Sequence, residues 1–336
     1  MKKALVYITV ILLFFAGGLY FSTEKSIEPK STKRVKFALG TMIEFTIKDE
    51  EDSTAEKAIN EAYAEILRID SIFTDYSDQS EIGKLNLEKP AFDTLSSEVY
   101  SLFAKSRELW LKTNGAFDIT LGELVSLWGF KIKDAEPVKE IVLPGKKEIL
   151  EAVNRTGMSK IYLQEPDKIY LNGMKGQFDL GAIAKGYAVD KACEVLEKMG
   201  IKNYLVNAGG DVRGAGSNWV TGVQHPRQKE NLAVVVNING VAIATSGDYE
   251  QFFEKDGVKY HHILNPRTGY PATGLMSVTV IAPDLTTADA LATGFFVMGY
   301  KEAIKLAESL ENVECYIIDA TGQEHQSKGF YKYIRS

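Results

Sequence analysis

The chain has 336 residues, 45% hydrophobic and 25% charged, with no low-complexity tract, so it can bury a large core as one big domain or as two. A net charge of −6 points away from nucleic acid as the main partner. Only two cysteines occur, Cys193 in a helix-like run and Cys315 in a strand-like one. That excludes a disulfide framework and leaves both as small buried apolar residues.

In chain order, Lys2 and Lys3 precede an uncharged stretch of 18 residues, Ala4 to Phe21. This is the pattern of a signal peptide or a short membrane anchor. Ala16 and Gly18 offer a small-residue cleavage site, and no cysteine follows to carry a lipoprotein anchor. Lys25, Lys30, Lys33, Arg34 and Lys36 crowd the far side, against a simple positive-inside pattern. Export is expected, with the body facing the outer side of the cytoplasmic membrane. Residues 22–34 read as a polar, lysine-rich linker, and the body as 35–336.

Val35 to Ile47 predicts strand–turn–strand, interrupted at Gly40-Thr41. Residues 54–73 carry apolar side chains at Ala58, Ile59, Ala62, Ile66, Ile69 and Phe73, the spacing of an amphipathic helix. Residues 97–113 repeat it, and Gly115 acts as a stop. Residues 134–148 are charged and hold two prolines, which predicts a surface excursion. Further on, 161–171 is strand-like and 182–199 helical, with Gly200 past its end. The β-branched runs 204–206, 233–238, 241–244, 277–281 and 315–318 predict strands, and 301–310 a helix. Several strands follow one another through short turns. The fold class is therefore α+β, with mixed or antiparallel sheets and interleaved helices rather than a doubly wound parallel sheet.

Six segments carry chemistry. Thr-Ala-Asp-Ala-Leu-Ala-Thr, 287–293, puts Asp289 and Thr293 four residues apart, on one face of a helix. Two hard oxygen donors on one face suit Mg²⁺. A buried helix whose polar groups serve its own backbone is the alternative. The run 178–188 leads from a strand into a helix past Gly181, Lys185 and Gly186, and a helix start beside a lysine is a ready anion site. An N-cap by Asp179 would also explain it. The glycine-rich 207–216 is neither a Walker loop nor a dinucleotide fingerprint, and a bulged turn between strands explains it equally. His261 and His262 precede an Asn-Pro-Arg-Thr-Gly turn. Neighbours on a strand face opposite sides, so at most one enters any site, where it could act as a held base. No third ligand stands at zinc-like spacing. Polar-aromatic loops at 73–82 and 114–120 complete the set, and Tyr76 could stack on a planar ring.

Taken in order, Gly-Thr (40–41), Phe-Thr-Asp-Tyr (73–76), Gly-Ala-Phe-Asp-Ile-Thr (115–120) and Asp-Leu-Gly-Ala-Ile-Ala-Lys-Gly-Tyr-Ala-Val-Asp (179–190) resemble the ApbE family. So do Asn-Ala-Gly-Gly-Asp (207–211), Gln-His-Pro (224–226), Ala-Thr-Ser-Gly-Asp-Tyr-Glu (244–250), His-His-Ile-Leu-Asn-Pro-Arg-Thr-Gly (261–269) and Ala-Asp-Ala-Leu-Ala-Thr (288–293). The resemblance covers about 36–336. It implies an exported, Mg²⁺-dependent enzyme that takes FAD, joins FMN through its phosphate to a Thr or Ser of a target protein, and releases AMP. It implies Asp289, Thr293 and the carbonyl of Ala182 as metal ligands, and His262 as base, with His261 its outward neighbour. FAD contacts carry over onto Leu39 (where the family often has Met), Tyr76, Ala116, Phe117, Asp118, Asp179, Lys185 and Ile263. The implied acceptor is a subunit of a membrane electron-transport complex, Rnf-type or sodium-pumping quinone reductase. A pyrophosphatase cleaving FAD to FMN and AMP, a non-catalytic flavin-binding protein of the envelope and a scaffold that has lost its function are the alternatives.

Overall fold

The computed structural model describes residues 31–131, 142–217 and 219–335. The expected signal or anchor segment 1–21 lies outside them, as does most of the expected linker. Strand β1 (Ser31–Ala38) starts inside that linker, and pairs along its whole length with β2 (Thr41–Lys48). The polar composition of 31–34 is that of a strand edge: Thr32 donates to Asp52 at 2.9 Å and Lys33 pairs with Glu44 at 2.7 Å. The turn falls on Leu39 and Gly40, both left-handed (φ 54° and 71°), so Thr41 already belongs to the strand.

Helices α1 (Asp52–Phe73), α2 (Glu81–Glu88), α3 (Ser97–Lys112), α4 (Gly122–Leu127) and α5 (Lys146–Arg155) follow. Of the expected surface excursion, 134–141 lies outside the described residues. Its last part, 146–148, is the first turn of α5, whose Ile149 and Ala152 are buried. Strands β3 (Phe92–Thr94), β4 (Ile161–Gln164) and β5 (Lys168–Leu171) form a small antiparallel sheet in the order β3-β5-β4. Helix α6 (Ala184–Lys198) leads into β6 (Tyr204–Ala208) and β7 (Asp211–Ala215). The glycine-rich run is thus a tight hairpin. Gly209 and Gly210, at φ 63° and 107°, form a two-residue turn of the kind that matches strand twist.

The rest comprises β8 (Val220–His225), β9 (Gln228–Asn237), β10 (Val241–Gly247), β11 (Phe252–Lys255), β12 (Val258–His261), β13 (Leu275–Ala282), helices α7 (Leu285–Met298) and α8 (Tyr300–Ala307), β14 (Glu314–Asp319) and β15 (Glu324–Gln326). Helix α8 stops at Ala307, three residues short of the expected end. Among the described residues an eight-stranded sheet runs β1-β2-β6-β7-β10-β13-β14-β15, every ladder antiparallel. One face packs under α1, α6 and α7 in the main core, which includes Phe45, Ile66, Ala188, Val280 and Phe295. The other face is closed by the β8–β9 hairpin and Phe330.

Alternating burial explains β2: Ile43, Phe45 and Ile47 are buried while their neighbours are not. Helix α7 is apolar nearly all round, hence enclosed between the sheet and α6. It crosses α6 at Gly186, where a Cβ would run into the Leu285 carbonyl. Gly186→Val should therefore lower unfolding free energy by about 1–3 kcal/mol, as overpacking does. Urea denaturation measures it, and an unchanged midpoint would mean the two helices can part without cost.

Candidate functional site

A cleft of about 1010 Å³ opens at one end of the main sheet. Leu39 and Thr41 enter it from the β1–β2 turn, Tyr76 from the end of α1, and Ala116, Phe117 and Asp118 from the loop after α3. Asp179, Ala182 and Lys185 come from the approach to α6, His262 and Ile263 from the segment after β12, and Asp289 and Thr293 from α7. Every residue singled out from the sequence for the site lines this one cleft. The cleft also holds Asp211, Ser246 and Glu250, to which no role was given.

Asp289 is a buried charged group of the cleft, 6% exposed. Its Oδ2 accepts from the Gly186 backbone N–H at 3.1 Å. Burial pushes its carboxyl up; Lys185 opposes this, and Asp211 adds to it. Thr293, one turn along, does not bond back to its own helix, and its hydroxyl lies 3.1 Å from that of Ser246 on β10. Lys185 pairs with Asp211, which is 3% exposed and also accepts from Thr245 N at 3.1 Å. Burial works against the Lys185 charge, but Asp211 and Asp289 outweigh it and hold the ammonium charged.

Asp179 does not cap α6. The N-cap position is Ile183, with no side-chain cap, and Asp179 instead accepts from Gly181 N at 2.8 Å. That turn leaves Ala182 at the cleft wall. Asp118 is held by Thr120 N at 2.9 Å, Thr120 Oγ1 at 2.6 Å and Met158 N at 3.2 Å, while burial raises its carboxyl. Tyr76 stands at the mouth, 53% exposed.

His262 is half-buried beside Phe130, its ring 6.4 Å from that ring centre. The Gln251 carbonyl lies 3.0 Å from His262 N and 3.2 Å from Nδ1. The tautomer this favours carries its hydrogen on Nδ1 and leaves Nε2 bare. Burial depresses the imidazolium to about 4, so the ring is neutral at physiological pH. His261, read as the outward neighbour, is buried. Its Nε2 lies 2.8 Å from the Ala272 carbonyl, and its ring packs edge-on against Phe296 at 5.4 Å. The alternation does send the two rings to opposite sides, but the other side is core rather than solvent.

What fixes α7 is Asp190. Its Oδ1 accepts from Leu285 N at 2.9 Å and its Oδ2 from Thr286 N at 2.8 Å and Thr286 Oγ1 at 2.5 Å, while Arg213 pairs with it at 2.5 Å. Asp284 takes Thr287 N at 2.7 Å. Two carboxylates thus serve the start of the helix that carries Asp289 and Thr293. Asp190 and Asp211 close two of the sequence clusters, so position within a cluster was the available signal for them.

The ApbE family model matches residues 39–317, and the chain belongs to that family. Among its relatives is the FAD:protein FMN transferase of Haemophilus influenzae, 34% identical over 283 residues, 80% of each chain. That of Treponema pallidum is 30% identical over 325 residues, 90% of this chain and 88% of the relative. The crystal structure of an ApbE protein from Thermotoga maritima superposes with a TM-score of 0.83 at 34% identity, covering 91% of this chain and all of the other. The flavin transferase ApbE from Vibrio cholerae gives 0.79 at 28%, covering 91% and 99%.

Asp190→Ala removes acceptors from two helix N–H groups and leaves Arg213 without its close partner. It should cost about 3 kcal/mol of stability, the low end for a broken buried pair because Arg213 is partly solvated. Urea denaturation tests this, with Asp190→Asn expected to lose less. Equal stability of Asp190→Ala and the parent chain would remove Asp190 as the anchor of α7.

Proposed function

We propose that this chain transfers FMN from FAD to a hydroxyl of a target protein, a Thr or Ser side chain, and releases AMP. The observation that carries the proposal is the convergence on one cleft of a buried carboxylate–hydroxyl pair, a charged lysine and a histidine with a bare nitrogen. The cleft is at the upper end of the roughly 300–1,000 Å³ usual for small-molecule sites. In this reading the attacking oxygen forms a bond to the FMN phosphorus and the bond from that phosphorus to the AMP oxygen breaks. His262 Nε2 takes the hydroxyl proton, and AMP leaves with the bonding electrons. Lys185, fixed by Asp211, faces the pyrophosphate charge. Tyr76, Leu39, Ala116, Phe117, Asp118, Asp179 and Ile263 hold the two ends of FAD.

The donors fit a hard cation. Asp289, Asp211 and Glu250 set three carboxylates against the one ammonium of Lys185 around this part of the cleft. Among the described residues no three His, Cys, Asp or Glu side chains form a metal cage. A cation here would therefore use Asp289, the Thr293 hydroxyl, the Ala182 carbonyl and oxygens from outside the chain, which is the habit of Mg²⁺. Bound there, Mg²⁺ would neutralise phosphate charge. For the acceptor we propose a subunit of an Rnf-type or sodium-pumping quinone reductase complex, met on the outer side of the cytoplasmic membrane. The support is the basic-then-apolar stretch of residues 2–21. The deciding experiment incubates the protein with FAD and Mg²⁺, with and without such a subunit. Covalent flavin on the subunit is expected, whereas free FMN alone would mean a pyrophosphatase.

The cation can be tested without turnover. Burial pushes the Asp289 carboxyl up from the usual carboxylate range, to about 7. The folded state then holds the proton more tightly, and the stability this adds is lost as pH rises through about 7. Without metal at pH 8, Asp289→Asn should be more stable than the parent chain. Mg²⁺ should raise the melting temperature of the parent and not that of the variant. Asp289→Ala should lose transfer, and Thr293→Val should be milder because water can replace a neutral ligand. An equal Mg²⁺ shift in parent and Asp289→Asn would sink the ligand assignment.

His262→Ala should slow transfer by roughly 10²–10⁴-fold with FAD binding kept, as loss of a general base does. Since the ring loses its proton near 4, the acid limb of the rate profile should lie closer to pH 4 than to pH 6.5. His261→Ala should instead lower the melting temperature and spare the rate per folded molecule. Reversed effects of the two substitutions would exchange their roles.

A further inference from the structure

A protein substrate has to be held as well as attacked, and the cleft alone does not show by what. We infer that the outer face of the β1–β2 hairpin is the surface on which the acceptor protein docks, an inference that rests on the transferase reading above.

The hairpin carries Val35, Phe37 and Met42 on the face away from the helices, 46%, 63% and 57% exposed. Phe37 and Met42 are directly opposed in the ladder, and Val35 lies two residues along the same face, so the three form one patch rather than scattered apolar residues. The face changes character along its length. Away from the cleft it is charged, with the Lys33–Glu44 pair at 2.7 Å. Toward the cleft it becomes apolar. One residue pair further, Ala38 and Thr41, the hairpin closes through Leu39 and Gly40, and Leu39, Gly40 and Thr41 are cleft wall.

Transfer needs the acceptor oxygen at about 3–3.5 Å from phosphorus. The chain around that hydroxyl must then lie across the rim of the cleft. An aromatic and a methionine side chain beside the rim are the residue types that centre protein interfaces. The free edge of β1 is an unsuitable alternative, because the Phe37 carbonyl already accepts from the Tyr63 hydroxyl at 2.8 Å. Docking is thus by burial of side chains on the face, not by strand addition. The partner chemistry is set accordingly: an acceptor whose residues flanking the accepting hydroxyl are apolar. Another exposed aromatic group, Phe92 with Tyr162 and Tyr170 on the small sheet, lines no part of the cleft and serves as a control.

The test uses the full chain, FAD, Mg²⁺ and a purified Rnf-type subunit of the acceptor class proposed above. Initial rates are read against subunit concentration for the parent, for Phe37→Ser/Met42→Ser and for Phe92→Ser/Tyr162→Ser. FAD affinity by flavin fluorescence and melting temperature are measured alongside. The hairpin variant should raise the KM for the subunit tenfold or more. Its FAD affinity and its rate at saturating subunit should stay within twofold of the parent, and the control should match the parent throughout. An unchanged KM in a folded hairpin variant overturns the inference while leaving the transferase reading intact, as does an equal rise in the control. Weakened FAD binding in the hairpin variant also overturns it, since the hairpin would then shape the flavin site. A parent chain that binds FAD but labels no subunit removes the transferase reading, and the docking surface with it.

Discussion

Asp190 is the side chain on which the rest of the site depends. It is a buried carboxylate on α6 that satisfies the first two backbone N–H groups of α7, one hydroxyl and one guanidinium. An apolar helix between a sheet and another helix is free to slide along its axis, since dispersion and burial are nearly indifferent to small shifts. Hydrogen bonds from its first turn to a fixed carboxylate are not indifferent. They set the register of α7, and the register sets the depth of Asp289 and Thr293. Gly186, four residues before Asp190 on the same helix, adds its own N–H to Asp289. One turn of α6 therefore positions both the start of α7 and its cleft-lining carboxylate.

The charges follow from the same packing. Asp289 and Asp211 are buried close enough to disturb each other, and Lys185 is the cation between them. Such an arrangement is costly in isolation, because desolvating charges is repaid only when each finds a partner. A site of this kind is built for what enters it. The excess of carboxylate favours a cation, while the charged Lys185 favours phosphate oxygens. His262 needs the opposite treatment: a partly desolvated place that keeps its ring neutral, with its hydrogen directed toward Gln251.

Much of this was legible in the sequence. The long amphipathic helices, the β-branched strands and the i, i+4 pair at Asp289 and Thr293 follow from periodicity alone, and the ordered clusters brought the family with them. What was not legible has physical causes. Helix α4, six residues long, is too short to show a clear period. Hairpin β11–β12 carries four charged residues in ten, so its pattern does not stand out, although Asp256-Gly257 at its tip is a hairpin signal that could have found it. The roles of Asp190 and Asp211 are contacts between segments distant in sequence, about which local pattern is silent. His261 was placed on the correct side of its strand but given the wrong surroundings, because alternation tells which residues face apart and not what lies on either side.

The cleft draws on residues from the β1–β2 turn to α7, and Asp289 and Thr293 come late in the chain. No fragment released early in synthesis contains the whole of it. A chain still emerging, or one that folds only its N-terminal half, has neither Asp289 nor His262 in place. The long-range construction thus makes the assembled cleft a property of the whole body rather than of any one part.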